Sequence, residues 1–154
     1  MLARTLIGSV KKQYGFAFDT IIEKYKDLNP EVHLPDERGY EFLNDGDYFV
    51  TICGENNLSI QFSDCITVFF GGWFNRFIDA ADAIKVIDGI LSRTLCVYVL
   101  VFGDNRKTII RENTEYHNAD MVKLFNLSRT ESRAVKRKNT LVKKVLWNNL
   151  NITK

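Results

Sequence analysis

Residues 48–102 read YFVTIC, GENN, LSIQFSD, CITVFF, GG, WFNRFI, DAADAIKVIDGIL, SRT and LCVYVLVF in succession, and their pattern decides the fold. Leu58, Ile60 and Phe62 alternate with Ser59, Gln61 and Ser63, so a strand there buries one face and wets the other. Tyr48–Cys53 precedes it across the four-residue loop Gly54–Asn57, and Cys65–Phe70 follows across a tight turn at Ser63-Asp64. Three antiparallel strands in a meander are expected. Gly71-Gly72 then breaks the pattern, as a bend or bulge that re-aims Trp73. The pair belongs to no phosphate-loop or dinucleotide signature.

The period changes at Asp79. Ala80, Ala83, Ile84, Ile87, Ile90 and Leu91 recur at helical spacing, with Asp79, Asp82, Lys85 and Asp88 on the opposite face. Asp79 is the expected N-cap, with Asp82 three residues on as an acidic capping-box partner. Leu95–Phe102 is almost wholly apolar, which suits a central strand covered on both faces. A turn at Gly103–Arg106 leads into Lys107–Glu112.

Working outward, Phe18, Ile21, Ile22, Tyr25 and Leu28 predict an amphipathic N-terminal helix that Asn29-Pro30 stops, with Gly15 separating a shorter upstream helix. Residues 30–47 are turn-rich and hold His33. Residues 113–127 give no clear period and hold His117. In the C-terminal part Val135, Leu141, Val142, Val145, Leu146 and Leu150 form a helical stripe with Trp147 as an anchor. The expected architecture is α+β and single-domain over residues 1–154. It has a mostly antiparallel sheet of about five or six strands, an N-terminal helix, a helix at about 79–92 packed on the sheet, and a basic C-terminal helix.

Composition bounds the function. The 154 residues are 45% apolar and 26% charged, with few glycines and prolines, which is ordinary for a folded globular chain. The best apolar run, Leu95–Phe102, is far short of the roughly 18 residues of a membrane span. The N-terminus lacks the apolar core and cleavage site of a secretory signal, so a cytoplasmic location is expected. Cys53, Cys65 and Cys96 fit no zinc spacing and read as core thiols. The two histidines stand apart from any nucleophile or ligand set, so no catalytic residue, metal or cofactor is expected, and the chain does not read as an enzyme.

The formal charge of +2 conceals a split. Residues 1–102 carry 9 basic and 14 acidic side chains, whereas residues 103–154 carry 12 basic and 5 acidic ones. Such polarity concerns partners more than fold. With many aromatic residues and no catalytic cluster, it favours a protein-binding module.

The succession LSIQFSDCITVFFGGWFNRF, helix, LCVYVLVFGDNRKTII over residues 48–112 resembles small bacterial immunity proteins of polymorphic or contact-dependent toxin systems. That resemblance implies a cytoplasmic inhibitor that binds one cognate toxin domain, often a nuclease, and occludes its active site without chemistry of its own. On this reading the contact residues are Glu55, Asp64, Asp79, Asp82 and Asp88, carboxylates facing a basic cleft, with Trp73 as the aromatic anchor. The alternative is a nucleic-acid-binding protein that uses the basic segment 129–144, namely Arg129, Arg133, Lys136, Arg137, Lys138, Lys143 and Lys144. Its composition argues against a membrane surface, because few apolar residues interleave the cations.

Overall fold

A computed structural model describes residues 8–115, 124–131, 133 and 140–149. Helix α1 (Gly8–Lys24) is kinked at Tyr14 and is followed by a single 3-10 turn at Lys26–Leu28. The break expected at Gly15 thus falls one residue earlier, and the Tyr14 hydroxyl donates to the Asp64 carbonyl across 3.1 Å, tying the kink to the sheet. Asn29 ends the turn with a left-handed φ of 54°, a conformation that asparagine tolerates better than most residues.

Strands β1 (Glu31–His33), β2 (Tyr48–Ile52), β3 (Leu58–Phe62), β4 (Ile66–Phe70) and β5 (Trp73–Phe77) form one antiparallel sheet in sequential order. β1 lies inside the stretch read as turns. Gly71-Gly72 makes neither a bulge nor a bend. Phe70 pairs with Trp73, and both glycines have positive φ, 58° and 84°, so the pair is a two-residue hairpin loop. Only such a primed turn matches the strand twist, and a side chain at either position would be strained.

The alternation in β2–β4 sends Tyr48, Val50, Ile52, Leu58, Ile60, Phe62, Ile66, Val68 and Phe70 to one face, all buried. Both helices cover that face. Phe18 of α1 packs on Tyr48 and Phe62, at ring separations of 5.4 and 5.6 Å. Helix α2 (Ala80–Leu91) contributes Ala83, Ile87 and Ile90. Each of the two buried isoleucines stabilises the fold by about 2 kcal/mol. The Asp79 carboxylate caps α2 as expected, accepting the Ala81 N–H at 2.8 Å.

Strands β6 (Leu95–Phe102), β7 (Asn105–Glu112) and β8 (Thr140–Val145) form a second antiparallel sheet, with β6 central. Val97 and Val99 of β6 join the main core. Cys96, Tyr98, Leu100 and Phe102 point the other way into a smaller cluster with Leu124 and Phe125. The α+β class, the N-terminal helix and the helix on the sheet are as the sequence predicts. The strands among the described residues, however, divide into sheets of five and three.

Residues 140–145 do not continue a C-terminal helix. An apolar strand such as β6 needs neighbours on both edges, and Thr140, Val142 and Val145 are β-branched residues suited to supply one. The helical expectation for 134–139 lies outside the described residues. Trp147 is buried, 5% exposed, and anchors the chain after β8. There the Asn148 carbonyl accepts the Glu55 N–H at 3.0 Å. A Cβ on Gly54 would stand 2.6 Å from the same carbonyl, so this loop and the C-terminal segment meet backbone to backbone. No helix among the described residues is long and apolar enough to cross a membrane.

Candidate partner-binding surface

The register of the five-stranded sheet also fixes what faces away from the helices. Two rows cross it: His33, Phe49, Gln61, Thr67 and Arg76, and beside it Glu31, Thr51, Ser59, Phe69 and Phe74. The turns after β1 fold Tyr40 and Phe42 toward the same face. The result is an unbroken chain of rings. His33 stacks on Tyr40 at 4.0 Å and 6°. Tyr40 and Phe42 each lie within 5.6 Å of Phe49. Phe49 meets Phe69 at 6.1 Å, and Phe69 meets Phe74 at 5.9 Å. Phe42 and Phe74 are each 58% exposed. A lone exposed phenylalanine is commonplace, whereas contiguous exposed rings on a sheet face are a candidate for a docking surface.

The rim of this face is acidic. Residues 29–79 contain nine acidic and two basic side chains, a net of −7 in a chain whose total is +2. Glu31 and Glu37 flank His33 at 3.6 and 3.5 Å, and Glu37 also accepts the Leu34 N–H. Both oxygens of Glu41 accept the Gly39 N–H, at 2.8 and 3.1 Å, holding the turn that presents Tyr40 and Phe42. Below it a cavity of about 200 Å³ opens between Leu34–Asp36 and Asp45–Tyr48. Asp47 in its wall is buried. Burial raises its carboxyl above the ordinary value, and the Asp64 carboxylate adds to this against hydrogen bonds from the Asn44 N–H and Gln61.

The residues singled out in the sequence do not gather on one patch. Asp64 and Asp79 lie at one end of the five-stranded sheet, with Asp82 in the adjoining first turn of α2. Glu55 and Trp73 lie at the other end, a strand length of about 17 Å away. Trp73 is half-buried against the main core rather than displayed as an anchor. Asp88 is paired with Lys24 of α1 at 2.7 Å and joins the two helices.

The basic segment is also partly engaged. Lys144 lies 5.6 Å from the Tyr98 ring centre and donates to the Thr114 carbonyl at 3.0 Å. Arg129, Arg133 and Lys143 are exposed. Lys136, Arg137 and Lys138, like His117, fall outside the described residues.

Cys96 alone of the three thiols is fully buried; Cys53 and Cys65 are half-buried. Burial pushes the Cys53 and Cys96 thiols up, away from the reactive thiolate, and at Cys53 the neighbouring Glu31 carboxylate acts in the same direction. No group of three or more histidine, cysteine or acidic residues among the described residues is placed to hold a metal ion.

Sequence reasoning missed the aromatic face because its rings come from four strands and a turn-rich loop. The strand phenylalanines each read alone as core, whereas His33, Tyr40 and Phe42 read as parts of a loop. A scan against protein-family models and searches of curated proteins and of solved structures found no match to this chain.

Proposed function

We propose that this chain is a binding module without chemistry of its own, and that it docks a basic protein partner on the outer face of its five-stranded sheet. The observation that carries this reading is the chain of contacting rings from His33 to Phe74 within an acidic segment. Desolvated aromatic side chains supply most of the energy in a protein interface, and a charged rim supplies steering and selectivity. A cleft built to hold phosphates is the basic surface such a rim complements. The reading therefore agrees with the immunity-protein resemblance, in which an inhibitor covers the active site of one toxin domain, such as a nuclease. In that role the Glu31, Glu37 and Glu41 carboxylates stand where phosphates would. Asp64, Asp79 and Asp82 at the sheet's end, with Glu55 at the other, steer the approach. The acidic, ring-covered sheet opposes a polyanion, so nucleic acid is the poorer partner for this face.

The test is to express the C-terminal domain of whatever protein is encoded immediately upstream of this chain's gene and to titrate it with the purified chain while its toxicity or nuclease activity is followed. Stoichiometric inhibition is expected. Phe42→Ala and Phe69→Ala should each weaken binding about 30-fold, the scale of 2 kcal/mol for an interface anchor. Inhibition that is unchanged in the double variant would contradict docking on this face.

A further inference from the structure

Among the described residues β5 pairs only with β4, which leaves its other edge without a strand partner, and its central residues Phe74, Asn75 and Arg76 are exposed. The sequence of that edge is self-complementary. A two-residue hairpin closes on a hydrogen-bonded pair, here Phe70 and Trp73, and the pairs then alternate. Trp73, Asn75 and Phe77 therefore direct their backbone groups to β4, whereas Phe74 and Arg76 direct theirs outward. The Arg76 N–H takes the Asn75 side-chain oxygen as its acceptor at 3.0 Å, which is the place a carbonyl of an added strand would occupy. The edge has neither proline nor lysine, the usual guards against pairing.

From this geometry we propose that β5 pairs antiparallel with β5 of a second copy of this chain, about a two-fold axis at Asn75. That register sets Trp73 against Phe77 of the other copy on the helix-covered side. It sets Phe74 against Arg76 of the other copy on the aromatic side, twice. Phe74 and Arg76 then exchange their outward N–H and C=O groups, giving four backbone hydrogen bonds. Each guanidinium also lies beside an aromatic ring, a favourable cation–π arrangement.

The charges match at the ends of the strand. Gly72 comes opposite Ile78 of the second copy, and the Arg106 Nη2 stands 3.3 Å from where a Gly72 Cβ would be. Arg106 makes no ion pair among the described residues. It is thereby brought beside Asp79 of the second copy. Ile78, 85% exposed in the single chain, is covered by the same contact. Shifting the axis to Arg76 would oppose two guanidinium groups, and shifting it to Phe74 would leave Phe77 unpaired. One five-residue pair buries less than a permanent interface, so the dimer is reversible and concentration-dependent. It joins the two aromatic faces into one ten-stranded surface.

Sedimentation of the full chain over a range of concentrations tests this. The expected result is a reversible dimer of twice 17.8 kDa at micromolar concentration. Arg76→Pro removes an outward N–H while sparing the β4 ladder, and should leave a monomer. Because that variant can also unfold, a cross-linking measurement stands beside it. With Cys53 and Cys65 replaced by serine, Asn75→Cys should form a disulfide-linked dimer on mild oxidation. Its Cα atoms would lie about 4.5 Å apart at a non-hydrogen-bonded pair. Arg76→Cys, which does not face itself, should not cross-link. A wild-type chain monomeric at every concentration, a folded Arg76→Pro variant that still dimerises, or an Asn75→Cys variant that fails to cross-link would each overturn the proposal.

Discussion

Asp47 shows how one buried carboxylate adds to the acidity of this segment at a cost in stability. The residue is 7% exposed, and burial, with Asp64 nearby, holds its carboxyl above the ordinary 3.8. Because the folded value exceeds the unfolded one, folding favours the protonated form. That contribution is fully present below 3.8 and is lost as pH rises through the folded value. Ionised Asp47 is therefore a cost at neutral pH. Asp47→Asn keeps an oxygen for the Asn44 N–H, which Asp47 accepts at 3.0 Å, and removes the charge. It should raise the Tm at neutral pH, and the gain should disappear in melts run well below 3.8. A gain of equal size at both pH values would mean that charge burial is not the cause.

The elements differ in how openly the sequence declares them. Helix α2 was legible because cap, stripe and polar face agree over twelve residues, Ala80–Leu91. The β2–β3–β4 meander was legible because alternation and turn signals coincide. β8 was not. Leu141, Val142 and Val145 fit a helical stripe as well as a strand, and the free edge of β6 decides between them. The Gly71-Gly72 hairpin and the short β1 were missed because their roles depend on pairing partners. The candidate site was less legible still. Asp79 was proposed as a contact, and its carboxylate is occupied as the N-cap of α2 at 2.8 Å. Replacing Asp79 with alanine should cost about 1 kcal/mol in denaturant unfolding with an unchanged m value. No loss of stability would show that the cap contributes nothing and leave the carboxylate wholly to recognition.

At the scale of the whole molecule, charge and architecture coincide. The five-stranded sheet and its loops form the acidic part, with a net of −7 over residues 29–79, and the rest of the chain carries a net of +9. The helices and the three-stranded sheet fill one side of the acidic sheet, while the rings from His33 to Phe74 occupy the other. The charge split was visible in the sequence. That it frames one aromatic face was not, because the face exists only once register aligns Phe49, Phe69 and Phe74. The central claim is that this face, and not the basic strands or the exposed side of α2, receives the partner. Amide hydrogen exchange of the chain, free and bound to the proposed basic protein partner, tests it most directly. The account predicts new protection across residues 39–43 and at the outward positions of β2, β4 and β5. Protection confined to β7, β8 or α2, with residues 39–43 and Phe69 exchanging as in the free chain, would contradict it.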